Sequence, residues 1–316
     1  MRRFLAALFA VLFAAPALAA PSYNPPFGLW RIPADQMGSL PFNLNGIAFN
    51  PDKDSPATVL AALNAIRAAH GHTFIQMVNF ADMRENPPGN FQLSTWQARY
   101  DQWCPKDASG AKHCLNLQPY VADGTVLGLH IFEYSLAPTI LSRKSPDLGQ
   151  IQQVAAYVKT LWPYMPIALD TARPCTLVGP NWHNNVDLVL ITIFTIRLTD
   201  YAHGEKLIAN DVACANQAGL RYTLGPNPFG GIQNGMTSTS LSNFVHYAEY
   251  SLMYPGKVGT IIWRWWPGQA PTVTNGVKSF ANFWSENTNP GIGAAMREIQ
   301  ACAANPTPSS CPHGSP

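Results

Sequence analysis

Short apolar runs rich in β-branched and aromatic residues alternate along this chain with longer stretches of helical periodicity. The runs are Gly46–Asn50, Thr73–Phe80, Val126–Glu133, Pro166–Asp170, Asp187–Ile193, Leu220–Leu224 and Gly259–Arg264, each too short for a buried helix. Between them lie Pro56–His70, Ser94–Trp103, Asp147–Trp162, Gly204–Ala218, Ser240–Met253 and Val277–Ser285. The first of these opens with Ser55-Pro56, an N-cap followed by proline at the first helical position. Val59, Leu63 and Ile66 then share one face, and His70-Gly71 offers a glycine C-cap. Strand and helix in alternation predict a parallel sheet covered by helices. Seven strands over about 220 residues match the scale of a closed (β/α)8 barrel. The eighth is expected at Phe27–Ile32 or within Cys175–Asn185. An open doubly wound sheet is the alternative, opposed by the lack of a GxGxxG or Walker loop after any run.

The chain begins with a segment that reads as a leader. Arg2 and Arg3 precede the apolar stretch Phe4–Ala15 and the small-residue site Ala17-Leu18-Ala19, which predicts a cleaved signal peptide over residues 1–19 and a secreted or periplasmic protein. A single barrel domain is expected over 20–303, with a disordered Pro/Ser-rich tail at 304–316. No later segment is long and apolar enough to span a membrane. The remaining chain holds 18 basic and 18 acidic residues without a basic run, so charge-driven nucleic-acid binding is not expected. Six cysteines in an exported chain read as disulfides. Local pairing gives Cys104–Cys114 and Cys302–Cys311, and elimination leaves Cys175–Cys214. There is no CxxC, HExxH or GxSxG motif; neither a metal nor a cofactor is expected, and a nucleophile elbow is absent.

Only 12% of the residues are charged, so the polar groups that end the strands stand out. In a barrel of this kind chemistry collects at the carboxyl ends of the strands. Reading each run to its end yields Asn79 and Asp82, Glu133, Asp170 and Arg173, Asn227, and Arg264, with the aromatics Phe49, Tyr134 and Trp263 at the same end. Acids, amides and aromatic plates around a concave mouth suit a polyhydroxylated ligand, whose apolar faces stack on rings. Glu133 closes an almost wholly apolar strand, and alternation places it with Leu129 and Ile131. A carboxyl group there would hold its proton more tightly, as a general acid must. The opposite face takes His130, expected beneath the helices. Asp170, one strand along, is the natural second carboxylate, and Asp82 a further option.

Glu133 at a strand end and the aromatic run Ile261-Ile-Trp-Arg-Trp-Trp266 resemble the (β/α)8 glycoside hydrolases. The resemblance implies an acid at Glu133, a sugar platform at Trp263 and an oligo- or polysaccharide substrate. Arg173, Arg264, Asn79, Asn227 and Tyr134 would orient hydroxyls or an acid group. Two features depart from the family: Leu220–Asn227 carries no late-strand Glu, and Phe132 rather than Asn precedes Glu133. A barrel that binds carbohydrate without cleaving it is therefore the alternative reading. A hydrolase or lyase acting on another substrate through the same mouth is a third.

Overall fold

The computed structural model describes residues 23–30, 32, 34–37, 42–78, 92–134, 148–171, 174–176, 185–195, 198–227, 239–262 and 290–314. Eight parallel strands close into a barrel in sequence order. They are β1 (Phe27–Trp30), β2 (Leu44–Ala48), β3 (His72–Gln76), β4 (Val126–Tyr134), β5 (Ile167–Thr171), β6 (Leu188–Phe194), β7 (Arg221–Asn227) and β8 (Gly259–Ile262). The ring closes through β1 and β8, where Gly28 is in register with Ile261, so the open-sheet alternative is excluded. The eighth strand is the one at Phe27–Trp30. Asn43 ties it in place, accepting from the Phe27 N–H at 2.9 Å and donating to the Tyr23 carbonyl at 3.0 Å.

Seven helices are seen among the described residues: α1 (Pro56–Ala68), α2 (Leu93–Asp101), α3 (Gln118–Ala122), α4 (Leu148–Leu161), α5 (Tyr201–Gln217), α6 (Leu241–Met253) and α7 (Ile292–Ala304). The hydroxyl of Ser55 accepts from the Thr58 N–H at 3.1 Å, and Val59, Leu63 and Ile66 are buried as the periodicity requires. The left-handed residue after α1 is His70 (φ 53°) rather than Gly71. Histidine is among the residues that tolerate this region. α3 and α7 were not expected from the pattern, and the helix expected at Val277–Ser285 lies outside the described residues.

The core has two layers. Between sheet and helices, Leu129 and Ile131 of β4 and Ile167 and Leu169 of β5 pack with Val59, Leu63, Trp96, Tyr100, Val154 and Tyr247 from the helices. Phe49 belongs to this outer layer and not to the mouth. Inside the ring, Trp30, Leu44, Phe74, Ala168, Leu188, Leu190 and Ile261 form a second cluster. His130 joins this interior: its ring meets Trp30 edge-on at 5.1 Å. That corrects the expected placement beneath the helices. A parallel barrel strand is apolar on both faces, so alternation alone does not tell in from out.

The cysteines pair as Cys104–Cys114, Cys175–Cys214 and Cys302–Cys311, a set that fits an oxidising compartment. Among the described residues no helix is long and apolar enough to cross a membrane. The expected leader lies outside the described residues. The Pro/Ser-rich segment after α7 is folded back rather than disordered. Cys311 is buried, the His313 N–H donates to Glu249 Oε2 at 2.8 Å, and a Cβ at Gly314 would meet the Glu249 backbone at 2.4 Å.

Buried phenols give the stability of this fold an alkaline limit. Burial pushes the hydroxyls of Tyr222 and Tyr250 up to about 12, and those of Tyr100 and Tyr247 upward as well. Between the unfolded value of 10 and these raised values the folded state holds more protons, so stability falls as pH rises. Lys257, pushed down to about 8 by burial, acts oppositely, adding stability from pH 8 to about 10.5. The expected result is stability that rises modestly above pH 8 and turns down above about pH 10. While circular dichroism stays native near pH 10, these four tyrosines should add no phenolate absorbance at 295 nm; their ionisation there would contradict the assignment.

Candidate active site

Asp170 is a buried carboxylate near the carboxyl end of β5. Ala168, two residues earlier on β5, and Leu190, its register partner on β6, both belong to the interior cluster. Alternation therefore turns Asp170 into the lumen, where it is 3% exposed. The Thr192 hydroxyl donates to Asp170 Oδ1 at 2.6 Å.

Glu133 reaches the same level by an irregularity. Leu129 and Ile131 point to the outer layer, and an unbroken alternation would have placed residue 133 with them. The register shifts between His130 and Phe132: His130 pairs with Ala168, Phe132 with Leu169, Glu133 with Asp170 and Tyr134 with Thr171. Such an extra residue re-phases the strand beyond it, a device common beside active sites. The register thus places Glu133 next to Asp170, on strands about 4.8 Å apart. The expectation that Glu133 shares a face with Leu129 and Ile131 rested on unbroken alternation, which this shift interrupts.

Asn227 ends β7, is buried, and accepts at its backbone carbonyl from the Thr195 hydroxyl at 3.0 Å. Gln76 of β3 is also buried near this end, but its amide donates to the Val78 carbonyl at 2.7 Å, fixing the strand exit. Asn79, Asp82, Arg173, Trp263 and Arg264 lie outside the described residues; of Glu133 and Tyr134 the backbone register is what is described. The structure therefore brings together the positions of Glu133 and Asp170, with Tyr134 beside Thr171 one step on. Thr192, Trp30 and His130 were not singled out for this end of the barrel. For Thr192 the available signal was its place two residues beyond Leu190, at the end of an otherwise apolar strand.

Among the described residues no group of three or more His, Cys, Asp or Glu side chains is arranged to hold a metal. His70 and His72, two residues apart in the sequence, are divided between tasks. His70 takes the left-handed cap, and His72 Nδ1 is 2.8 Å from the Gly124 carbonyl.

No protein-family model matches the sequence. A comparison with curated proteins likewise finds no match. Among solved structures the chain is similar to a glucosidase from Croceicoccus marinus, with 11% identity, 88% of this chain and 66% of that one covered, and a TM-score of 0.51. It is also similar to the catalytic domain of a Thermobifida fusca endoglucanase in complex with cellotetraose, with 9% identity, 84% and 85% coverage, and a TM-score of 0.50. A D-psicose 3-epimerase from Clostridium cellulolyticum, seen with D-tagatose, follows at 13% identity, 87% and 96% coverage, and a TM-score of 0.48. The chain spans about two thirds of the glucosidase's length. At these identities the likeness to the glucosidase and the endoglucanase shows the barrel fold alone, and the function is argued from the site.

Proposed function

We propose that the protein is an exported, carbohydrate-active hydrolase that cleaves glycosidic bonds with Glu133 and Asp170 as paired carboxylates. The observation that carries this reading is the β4–β5 register, which sets the two acidic positions side by side at the carboxyl end of a closed barrel. Glycoside cleavage asks for that pair: one carboxyl group protonates the leaving oxygen while the other attacks the anomeric carbon or activates water. Glu133 is the general acid. Asp170, which accepts from Thr192, is the partner, and an ionised carboxylate is the acceptor-only form that this contact suits. Trp263 serves as the sugar platform. Asn79, Arg173, Asn227, Arg264 and Tyr134 orient hydroxyls or a substrate acid group, and Asp82 is the secondary choice for the partner role. Export rests on the leader-like residues 1–19 and is supported by the three disulfides.

A non-catalytic carbohydrate-binding barrel is the second reading. It is favoured by β7, whose residues Arg221–Asn227 include no carboxylate. The test is a panel of polysaccharides and cello-oligosaccharides, with product analysis beside affinity electrophoresis. Reducing-end products are expected on at least one member. Retardation without product would select the binding module, and neither retardation nor product would overturn both readings.

A further inference from the structure

We propose that Thr192 is a positioning residue for the carboxylate of Asp170, fixing its orientation and favouring its ionised form. The inference rests on the reading of Asp170 as the partner carboxylate. Thr192 stands two residues beyond Leu190 on β6, so alternation turns it into the lumen with that residue. Its hydroxyl donates to Asp170 Oδ1 at 2.6 Å, within the short range typical of a hydroxyl meeting an ionised carboxylate. The sequence around it is Leu188-Val-Leu-Ile-Thr-Ile193. Packing alone would be served by valine, which has the same shape and the same preference for strands. What threonine adds is a donor, and the donor meets a carboxylate 22 residues away in the chain.

With Oδ1 engaged by a group on the neighbouring strand, the carboxyl plane is fixed, and with it the direction of Oδ2. A nucleophile or base gains from such a fixed geometry because the reacting oxygen starts near its position of attack. Among the described residues of the two strands that follow, Leu188–Phe194 on β6 hold no charge, and β7 contributes Thr223, Gly225 and Asn227 at inward register positions. On β4 the titratable positions are Glu133 and His130. Glu133 is in register with Asp170, and His130 lies below it, in register with Ala168. Arg173 follows Asp170 in the chain. A donor from Thr192 thus opposes the repulsion that a second carboxylate at residue 133 would impose on ionised Asp170.

Thr192→Val removes the donor at constant shape, and Thr192→Ser restores it. The expected result is a loss of about 10- to 100-fold in kcat for the valine variant with a small change in KM. The acidic limb of its pH–rate profile should move up by about one pH unit, and serine should recover both. Equal profiles for wild type and Thr192→Val would overturn the proposal. A direct measurement separates it from the hydrolase reading and needs no variant to fold. In carboxyl-labelled wild-type protein, the Thr192 hydroxyl proton should appear in slow exchange, correlated with the Asp170 carboxyl carbon. If that correlation is present but no glycoside is cleaved, the hydrolase reading fails while the contact stands. If the correlation is absent, the positioning role is overturned whatever the activity.

Discussion

Replacing Glu133 by glutamine is expected to lower glycosidic-bond cleavage by about 10²- to 10⁴-fold, the range over which positioned general acids contribute. The substitution keeps shape and hydrogen-bonding capacity but removes the transferable proton. Substrates with activated leaving groups need little protonation, so they should lose least. The melting temperature should stay within a few degrees, because glutamine keeps the size and shape of glutamate at the carboxyl end of β4. Rates on a natural oligosaccharide and on an aryl glycoside, measured beside thermal unfolding, provide the check. An unchanged rate on both substrates would remove Glu133 from the mechanism.

The second large effect concerns the floor beneath the mouth. Gly46 of β2 is in register with Trp30, and a Cβ at position 46 would fall 1.9 Å from the indole. The indole also packs at right angles to the His130 ring, with centroids 5.1 Å apart, so a shift of the indole disturbs a second contact. Gly46→Ala is therefore expected to destabilise the fold by about 3 kcal/mol, the upper part of the usual range for overpacking. Reducing the ring by Trp30→Phe in the same chain should recover part of that loss, so the two substitutions are not additive. Chemical denaturation of the two single variants and the double variant measures this coupling. A cost below about 1 kcal/mol for Gly46→Ala, or strict additivity, would show that the indole is not fixed where the packing places it.

Much of the barrel was legible because its strands and helices differ in length and periodicity. Val59, Leu63 and Ile66 recur at helical spacing, while Leu188–Ile193 is short and almost wholly apolar. In α7, too, Ile292, Ala295, Met296 and Ile299 recur at helical spacing and are buried, a signal the expected elements left out. What stayed hidden has physical causes. Along β4 the apolar run conceals both the inward face and the register shift at Ile131. Both sides of the strand are buried, so even the polar His130 does not mark which face turns inward. His130 was accordingly expected on the wrong side. The Glu133–Asp170 neighbourhood followed from adjacent strand ends, yet the phase that makes them register partners is a property of the fold. The Thr192–Asp170 contact depends on side-chain placement between strands, which no local pattern records.

The central claim is that Glu133 and Asp170 act on one glycosidic bond at a shared opening. The most direct test is a crystal structure of the Glu133→Gln variant with a bound oligosaccharide, in which the separation of the two side-chain termini is measured across the sugar. Both are expected to face the same lumen, about 5–9.5 Å apart, with the glycosidic oxygen within hydrogen-bond reach of residue 133. A side chain at 133 turned under the helices, or a sugar bound away from Asp170, would contradict it.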